Sequence, residues 1–263
     1  MKKIFIYLIC VLAAAFSFTA CSGRGHGKTE TYEPYLYTDK FSAPEKDNYG
    51  YAVDYESDEN GVKICISIRD GNAVKRSVPI EAKFADQLFL DMHNESFGAV
   101  LSEGSPAGGM MGKLLYITED GWRTYETVDI SSEIKIYPRH FVMLTDKIGY
   151  IGGDIRIGST LHRTLDGGRT WEEADIGKNT RESFAPVECG GKYYELIEMK
   201  TDEPNRLYAL FVSEDGVEWE RVKFFSVEHE AAGAKIEEYY YEDGRLFFLC
   251  GDDRVYAMEL PKQ

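Results

Sequence analysis

The sequence predicts an all-β fold built from repeated four-stranded units, and three observations lead to it. Short segments that alternate apolar and polar residues follow one another from residue 35 to residue 260, with turn-forming residues between them. The segment 164–171 (Thr-Leu-Asp-Gly-Gly-Arg-Thr-Trp) has related copies at 118–125 and 213–219, which places Asp120, Asp166 and Asp215 at intervals of 46 and 49 residues. Helix signals are nearly absent. A repeat of this length in a β-rich chain is typical of the blades of a β-propeller.

The strands fall into successive units along the chain. The first unit has predicted strands at 49–55, 62–69 and 73–80; the second at 87–93, 97–102, 114–118 and 124–129; the third at 139–145, 149–153, 160–164 and 171–175; the fourth at 184–188, 193–199, 207–213 and 218–224; the last at 235–241, 246–250 and 255–260. Because the last unit lacks a fourth strand, the alternating segment 35–41 can complete it and close the ring. We predict about five four-stranded blades, or six if two short units have been merged.

The repeated segment has the composition of a tight turn between two strands. Gly167 and Gly168 tolerate positive φ, and the short carboxylate of Asp166 can accept hydrogen bonds from N–H groups of the turn. Trp171 then buries a large ring between adjacent sheets. We predict that the repeats are structural and not catalytic. Their predicted structural residues are Thr118, Asp120, Gly121, Tyr125, Thr164, Asp166, Gly168, Trp171, Ser213, Asp215, Gly216 and Trp219.

These segments resemble the Asp box, or bacterial neuraminidase repeat, of sialidases and related β-propellers. Residues 164–171 match the motif Ser/Thr-x-Asp-x-Gly-x-Thr-Trp at every position. In the first copy Trp122 stands in place of the second Gly and Tyr125 in place of the Trp, and the third copy is one residue shorter. The resemblance implies that the boxes lie away from any active site. Together with the preceding segment 146–153, box 164–171 is also similar to non-catalytic propellers related to photosystem assembly factors, which act as binding platforms.

The first twenty residues have the pattern of a secretion signal. Lys2 and Lys3 precede an apolar run over residues 4–16, which is too short for a membrane-spanning helix. The sequence Thr-Ala-Cys-Ser at 19–22 resembles a bacterial lipobox, which implies cleavage before Cys21 and acylation of its thiol, as with palmitate; an ordinary secretion signal is the alternative. We therefore expect a signal peptide at 1–20, a flexible tether at 21–34, a propeller at 35–263, and an extracytoplasmic, lipid-anchored protein of the bacterial envelope.

Charge and composition restrict the partners. The chain has a net charge of −15, and removal of residues 1–20, which contain two lysines and no acid, lowers it to −17. Such an acidic surface argues against nucleic acid and anionic lipid as ligands. The remaining cysteines, Cys65, Cys189 and Cys250, have no paired spacing, and the five His residues are scattered. We therefore expect no metal and no cofactor, buried cysteines with one disulfide possible among them, and a monomer.

Three kinds of function remain open. Resemblance to sialidases would require three arginines around the substrate carboxylate, an acid/base Asp, and a Tyr nucleophile assisted by Glu. No Arg occurs between Arg24 and Arg69, and the sequence Ile-Tyr-Pro-Arg at 136–139 is only a scrambled echo of the early arginine motif. Tyr239, Tyr240 and Tyr241 beside Glu237 and Glu238 would suit the Tyr/Glu pair, although a run of Tyr also fits strand packing. The other two kinds are a binding or assembly platform and a carbohydrate-binding surface, in which Trp122 and tyrosines would stack on sugars.

The loops on the face opposite the boxes are the expected ligand-binding elements. They are 103–113, 130–138, 177–183 and 225–234, and the first contains Met110 and Met111, which suit an adaptable contact surface. The sequence favours a non-catalytic platform for an envelope protein or glycan, with an exo-sialidase as the alternative. Three arginines that converge in the central funnel would favour the enzyme, whereas a funnel without arginine would favour the platform.

Overall fold

The all-β class is confirmed. The computed structural model describes residues 33–44, 48–59, 61–70, 73–105, 111–154, 159–201, 206–227 and 235–260, so that Cys21, Met110 and the proposed signal peptide lie outside the described residues. Within these ranges there are twenty β-strands and a single short 3-10 helix, Asp175–Gly177. Across the same ranges no helix combines the length and the apolar character that a membrane crossing requires.

All the described strands pair antiparallel, and most of them pair with the strand that precedes or follows them in the chain. Strand β1 (Tyr35–Tyr37) precedes a three-stranded sheet of β2 (Tyr51–Asp58), β3 (Gly61–Asp70) and β4 (Ala73–Ala82). A four-stranded sheet follows, made of β5 (Gln87–Met92), β6 (Gly98–Glu103), β7 (Lys113–Thr118) and β8 (Glu126–Asp129). A nine-stranded sheet contains β9 (Tyr137–Met143), β10 (Gly149–Asp154), β11 (Leu161–Thr164), β12 (Glu172–Glu173), β13 (Thr180–Ser183), β14 (Val187–Cys189), β15 (Lys192–Met199), β16 (Tyr208–Ser213) and β17 (Glu220–Phe225). The last strands are β18 (Ile236–Glu242), β19 (Arg245–Cys250) and β20 (Val255–Glu259).

The N-terminal strand completes the last sheet, as the sequence predicts. Strand β1 pairs antiparallel with β20, with Tyr35 opposite Ala257 and Tyr37 opposite Val255, which gives the sheet order β1-β20-β19-β18. The strand is shorter than the predicted segment 35–41. Phe41 instead stacks on Phe247 with 4.5 Å between the ring centroids. The edge of β20 is therefore covered by β1.

Strand β13 is absent from the sequence prediction, which placed residues 177–183 in a loop. It pairs with β15 and, through Asp154 and Glu182, with β10, so that it joins the third and fourth units into one sheet. Its sequence, Thr-Arg-Glu-Ser, has no apolar alternation. Two of its buried residues are held by hydroxyl hydrogen bonds: Thr180 Oγ1 donates to the Gly177 carbonyl at 2.5 Å, and Ser183 Oγ lies 2.6 Å from Thr160 Oγ1. Hydrogen bonds therefore hold this strand in place of the buried apolar side chains that would give a strand its alternating sequence pattern.

The third and fourth strands of the second, third and fourth units are joined by the three boxes. In the second box Thr164 Oγ1 donates to Asp166 Oδ1 at 2.8 Å, and the N–H groups of Arg169 and Thr170 donate to the same oxygen at 3.0 and 2.9 Å. Gly168 has a φ of 96°, and a Cβ at this position would lie 2.6 Å from the Leu115 side chain. Backbone conformation and the close approach of the preceding sheet therefore both favour glycine here.

The same carboxylate bonds recur in the other two boxes. Asp120 Oδ1 accepts from the N–H groups of Arg123 and Thr124 at 2.9 Å each. Asp215 Oδ1 accepts from Ser213 Oγ at 2.9 Å and from the N–H groups of Val217 and Glu218 at 2.8 and 2.9 Å, although this box is one residue shorter. Gly121 and Gly216 take the positive φ of the turn. The three turns therefore share one pattern of hydrogen bonds to the Asp carboxylate.

The interior lies between successive sheets. Trp171 is buried with Leu115 and Ile117 of the second unit, and Trp122 is buried with Ile64 and Ile66 of the first. Each aromatic ring fills the space between its own sheet and the preceding one. This packing of one sheet on the next builds a β-propeller, whose central cavity is described below.

Candidate functional site: the central cavity

A cavity of about 560 Å³ lies where the first strands of successive units converge. Strands β5, β9, β14, β15 and β18, from four successive units, contribute residues to its wall. Its volume is within the range of small-ligand sites. The cavity is bordered by Pro44, Phe89, Asp91, Met92, His93, Arg139, His140, Phe141, Val142, Met143, Leu144, Phe184, Ala185, Pro186, Val187, Glu188, Tyr193, Glu238, Tyr239, Tyr240 and Tyr241.

Aromatic and aliphatic side chains make up most of this wall. Phenylalanines come from β5, β9 and the segment before β14, while tyrosines come from β15 and β18. Of the tyrosines, Tyr239 is buried, whereas Tyr193, Tyr240 and Tyr241 are partly exposed. Such a wall binds by apolar contact and ring stacking, with a few polar groups that set orientation.

Tyr239 has a structural position. Its hydroxyl lies 2.8 Å from the carbonyl oxygens of both Ala185 and Tyr194, which joins β18 to the fourth unit. Burial raises the pKa of this hydroxyl well above its ordinary value. Tyr239 therefore keeps its proton at neutral pH, and its hydroxyl is occupied by the backbone.

The neighbouring Glu238 and Tyr240 differ from Tyr239. Two residues apart on β18, they lie on the same side of the strand and both border the cavity. Glu238 is exposed and Tyr240 is half-buried, with its ring centroid 6.1 Å from that of Phe41. Of the predicted run of acids and tyrosines, Glu237 does not border the cavity, because its carboxylate lies against Gly251.

Two other ionisable residues of the cavity wall, Asp91 and His140, already contact neighbouring residues. Asp91 is buried, and its Oδ2 accepts a hydrogen bond from the N–H of Met143 at 2.6 Å, which links β5 to β9. Burial lowers the pKa of His140 to about 4, and the nearby charges of Lys235 and Arg139 contribute in the same direction. The imidazole, whose centroid is 4.7 Å from that of the Phe184 ring, is therefore uncharged at neutral pH.

Arg139 is the one arginine within the described ranges that lines the cavity. Its Nε lies 3.3 Å from Asp154 Oδ2, so its charge already has a partner. Two further arginines of the third and fourth units face Glu198 instead: Arg206 Nη1 lies 2.6 Å from Glu198 Oε1, and Arg181 Nε lies 3.5 Å from it. The described residues thus contain no convergence of three arginines in the cavity.

One alternative from the sequence does not fit the structure. The indole of Trp122, which a carbohydrate-binding surface could have used to stack on sugars, is 0% exposed, and its Nε1 donates to the sulfur of Met92 at 3.2 Å. Tyr125, aligned with Trp171 in the motif, is 41% exposed. Trp122 has a φ of 62° and points its ring between the sheets, so it takes over the packing role that Trp171 has in the second box.

The remaining predicted residues lie elsewhere. Met111 is half-buried, accepts a hydrogen bond from Lys113 Nζ at its carbonyl oxygen (3.3 Å), and does not border the cavity. No box residue borders it either. Cys65, Cys189 and Cys250 are free thiols. In the part of the chain that the structure describes, no group of three or more His, Cys, Asp or Glu side chains is arranged to hold a metal ion.

Sequence reasoning missed most of the cavity wall. Phe89, Asp91, Val142 and Ala185 belong to inner strands or to the segments next to them, and nothing in their local sequence distinguishes them from core residues. The order of strands within each unit could have identified them, since the first strand of a propeller blade lies nearest the axis. The sequence pattern points instead to the loops opposite the boxes as ligand-binding elements.

No protein-family model matches the chain, and no curated protein sequence matches it significantly. Among solved structures it is similar to the GH74 enzyme of Niastella koreensis (14% identity, TM-score 0.39, 71% of this chain and 29% of that one). It is also similar to the NanB sialidase of Streptococcus pneumoniae (10% identity, TM-score 0.42, 75% and 35%) and to YCF48 bound to a D1 peptide (11% identity, TM-score 0.30, 84% and 100%). The chain thus spans about a third of the length of the two enzymes. Likenesses at this level bear on neither ligand nor reaction.

Proposed function

We propose that this protein is a non-catalytic binding propeller that takes its ligand in the central cavity and serves as a binding or assembly platform in the cell envelope. The observation that carries the proposal is the cavity itself: about 560 Å³ of space with a largely aromatic and aliphatic wall. Polar groups of the wall such as Asp91 and Tyr239 already bond to the backbone, and Arg139 bonds to a carboxylate. Because these side chains already have hydrogen-bond or ion-pair partners, they are not free to act as an acid, base or nucleophile. This favours binding over catalysis.

The competing function is that of an exo-sialidase. Such an enzyme needs fixed cations for the substrate carboxylate and an activated nucleophile for the oxocarbenium-like transition state. Glu238 and Tyr240 border the cavity and are the residues to test, but the single lining arginine among the described residues is neutralised by Asp154. The net charge of −15 also disfavours approach of an anionic sialoside.

An activity assay separates the two functions. The full chain is incubated with an activated aryl sialoside beside a heat-inactivated sample, and the released aryl alcohol is followed by fluorescence. We expect no turnover above the inactivated sample. Turnover that is abolished by Tyr240→Phe or Glu238→Gln, with the fold retained by circular dichroism, would establish the sialidase function and overturn the proposal.

Anchoring through Cys21 belongs to the same proposal and has its own test. A lipid on this residue would hold the propeller at a membrane surface and bring it close to envelope ligands. We expect the full chain to fractionate with membranes in processed form, and Cys21→Ala to remain unprocessed or to be released. Processed Cys21→Ala protein that still fractionates with membranes would show that the anchor is elsewhere.

A further inference from the structure

We propose that residues 38–44, which we call the strap, are a displaceable closure where the chain passes from the last sheet (β18, β19, β20 and β1) to the first (β2–β4). Release of the Phe41 ring from Phe247 opens this junction and the side of the central cavity that Pro44 and Tyr240 border. The inference rests on the proposed function, because the opening serves ligand exchange in that cavity.

The other junctions between successive units are filled by apolar clusters. Ile66 of the first unit shares a cluster with Tyr116 of the second, and Leu210 of the fourth unit shares one with Phe248 of the last. The second and third units, and the third and fourth, are joined in the same way. Among the described residues, no cluster combines side chains of the last and first units. This junction is therefore closed by other contacts.

The first sheet has a polar, exposed side facing away from the second unit. Because side chains alternate along a strand, Lys63 and Glu81 lie on the side opposite Ile64 and Ile80, which pack on the second unit. Lys63 and Glu81 form an ion pair at 3.5 Å, and 43% and 79% of their side chains are exposed. A sheet packed against this side would bury the pair. The last sheet is therefore not packed on the first as the other sheets are packed on one another.

The corresponding side of the last sheet is apolar, and the strap covers it. Phe247 is 1% exposed, although it belongs to none of the clusters of described residues. The Phe41 ring stacks on it with the centroids 4.5 Å apart, and Tyr37 of β1 meets it edge to face at 5.0 Å. The strap and β1 therefore supply the cover that a neighbouring sheet supplies at the other junctions.

The strap also forms part of the cavity rim. Pro44 and Tyr240 both border the cavity, and the centroid of the Tyr240 ring lies 6.1 Å from that of Phe41. Beyond the strap, Asn48 Oδ1 accepts a hydrogen bond at 3.0 Å from the N–H of Met92, which borders the cavity from the second unit. The chain is thus attached to the last sheet before the strap and to the second unit after it, and Phe41 makes the ring contact between these attachments.

Release of the strap costs less than separation of the sheets at another junction. It removes the contact of one aromatic ring, whereas separation elsewhere exposes a whole apolar cluster. Burial of one such ring corresponds to about ten- to hundredfold in an equilibrium constant. Segments held by few apolar contacts are the first to open in a native protein. The strap is therefore where the propeller opens first.

Hydrogen exchange measured by mass spectrometry tests the strap in the full chain. Phe41→Ala should accelerate exchange about tenfold in β1 and β20, because β1 leads into the strap and pairs with β20. Phe41→Leu keeps an apolar side chain and should give a smaller acceleration. Amides of β6 and β10, in the second and third units, should keep their rates, which also verifies that the variants are folded. The control Tyr125→Ala removes a ring that is 41% exposed in the second unit and should leave β1 and β20 unchanged.

A neutral dye tests whether the opening reaches the cavity. Nile red gains fluorescence on binding apolar surface, and Phe41→Ala should raise its emission about fivefold, whereas Tyr125→Ala should leave it within about 1.5-fold of wild type. Ala185→Phe places a ring in the cavity. Added to Phe41→Ala, it should remove the increase.

Unchanged exchange in β1 and β20 of a folded Phe41→Ala variant would overturn the inference, and so would an equal acceleration by Tyr125→Ala. A dye signal that persists when Ala185→Phe is added would overturn it as well, because the strap would then open onto another surface. Failure of the proposed function is distinguishable, since the exchange measurement needs no ligand. If a ligand binds and Ala185→Phe prevents it while exchange is unchanged, the cavity remains the binding site and only the strap is wrong.

Discussion

The indole N–H of Trp219 donates to the hydroxyl of Tyr150 at 3.0 Å, and this hydroxyl donates in turn to the Gly216 carbonyl at 2.6 Å. The two rings meet edge to face with their centroids 5.9 Å apart. Tyr150 lies on β10 of the third unit and Trp219 ends the box of the fourth. A continuous chain of hydrogen bonds therefore ties one unit to the turn of the next.

Removal of the Tyr150 hydroxyl should destabilise the protein. Tyr150→Phe leaves the Gly216 carbonyl and the Trp219 N–H without this partner, and we expect the free energy of unfolding to fall by about 1–3 kcal/mol. Urea denaturation of the full chain measures it. Tyr125→Phe, at an exposed position, should stay within about 0.5 kcal/mol of wild type.

A double-mutant cycle with Trp219→Phe checks that the two residues act together. Because each substitution breaks the same hydrogen bond, the two losses should not add. Strictly additive losses would mean that Tyr150 and Trp219 stabilise the fold independently.

Alanine substitution should destabilise the protein much more at Trp122 than at Tyr125, although the motif aligns Tyr125 with Trp171. Trp122→Ala removes a ring that is 0% exposed and should cost about 3–5 kcal/mol, as should Trp171→Ala. Tyr125→Ala should cost less than about 1 kcal/mol, because the ring is 41% exposed. Melting temperatures of the three variants give the order directly, and a large loss for Tyr125→Ala would contradict the packing described here.

Glu195 should make stability fall as the pH rises. This side chain is 0% exposed, and neither carboxyl oxygen has a hydrogen-bond partner among the described residues. Burial raises its pKa well above the ordinary value. The folded state therefore holds a proton that the unfolded state releases above about pH 4.3, so the contribution of this group is complete below that pH and is lost as the pH rises toward the folded pKa.

Substitution by glutamine isolates this contribution. The stability of Glu195→Gln relative to wild type should increase by as much as about 1.4 kcal/mol per pH unit above pH 5. Denaturation curves at pH 5, 6 and 7 measure it, and Glu218→Gln serves as the exposed control. Burial also raises the pKa of Glu103 to about 8, so the stability of both wild type and Glu195→Gln falls with pH for this reason. Only the difference in stability between the two proteins therefore reports on Glu195. A constant difference across the three pH values would show that Glu195 is ionised in the fold.

The sequence predicted the parts of the fold that repeat. Alternating strands and the spacing of Asp120, Asp166 and Asp215 indicated the units, and the incomplete last unit indicated that strand 35–41 would close it. Strand β13 was missed because hydroxyl hydrogen bonds, and not apolar alternation, hold it in place.

The site was less accessible to sequence reasoning than the fold. The burial of Trp122 follows from a backbone with positive φ, which a motif alignment does not convey. The cavity joins residues such as Asp91, Arg139, Ala185 and Glu238, which lie far apart in the chain and carry no common motif. Their proximity depends on how the sheets pack on one another, and alternation within a single strand contains no information about that packing.

The central claim is that the cavity binds a ligand, and a cavity-filling variant tests it most directly. The full chain and Ala185→Phe are compared on one glycan array and one peptide array, with Leu165→Phe, an exposed position away from the cavity, as the control. We expect the probes retained by wild type and by Leu165→Phe to be lost with Ala185→Phe, while all three proteins keep the same far-ultraviolet circular dichroism. Unchanged retention by a folded Ala185→Phe variant would contradict the account and place binding on another surface.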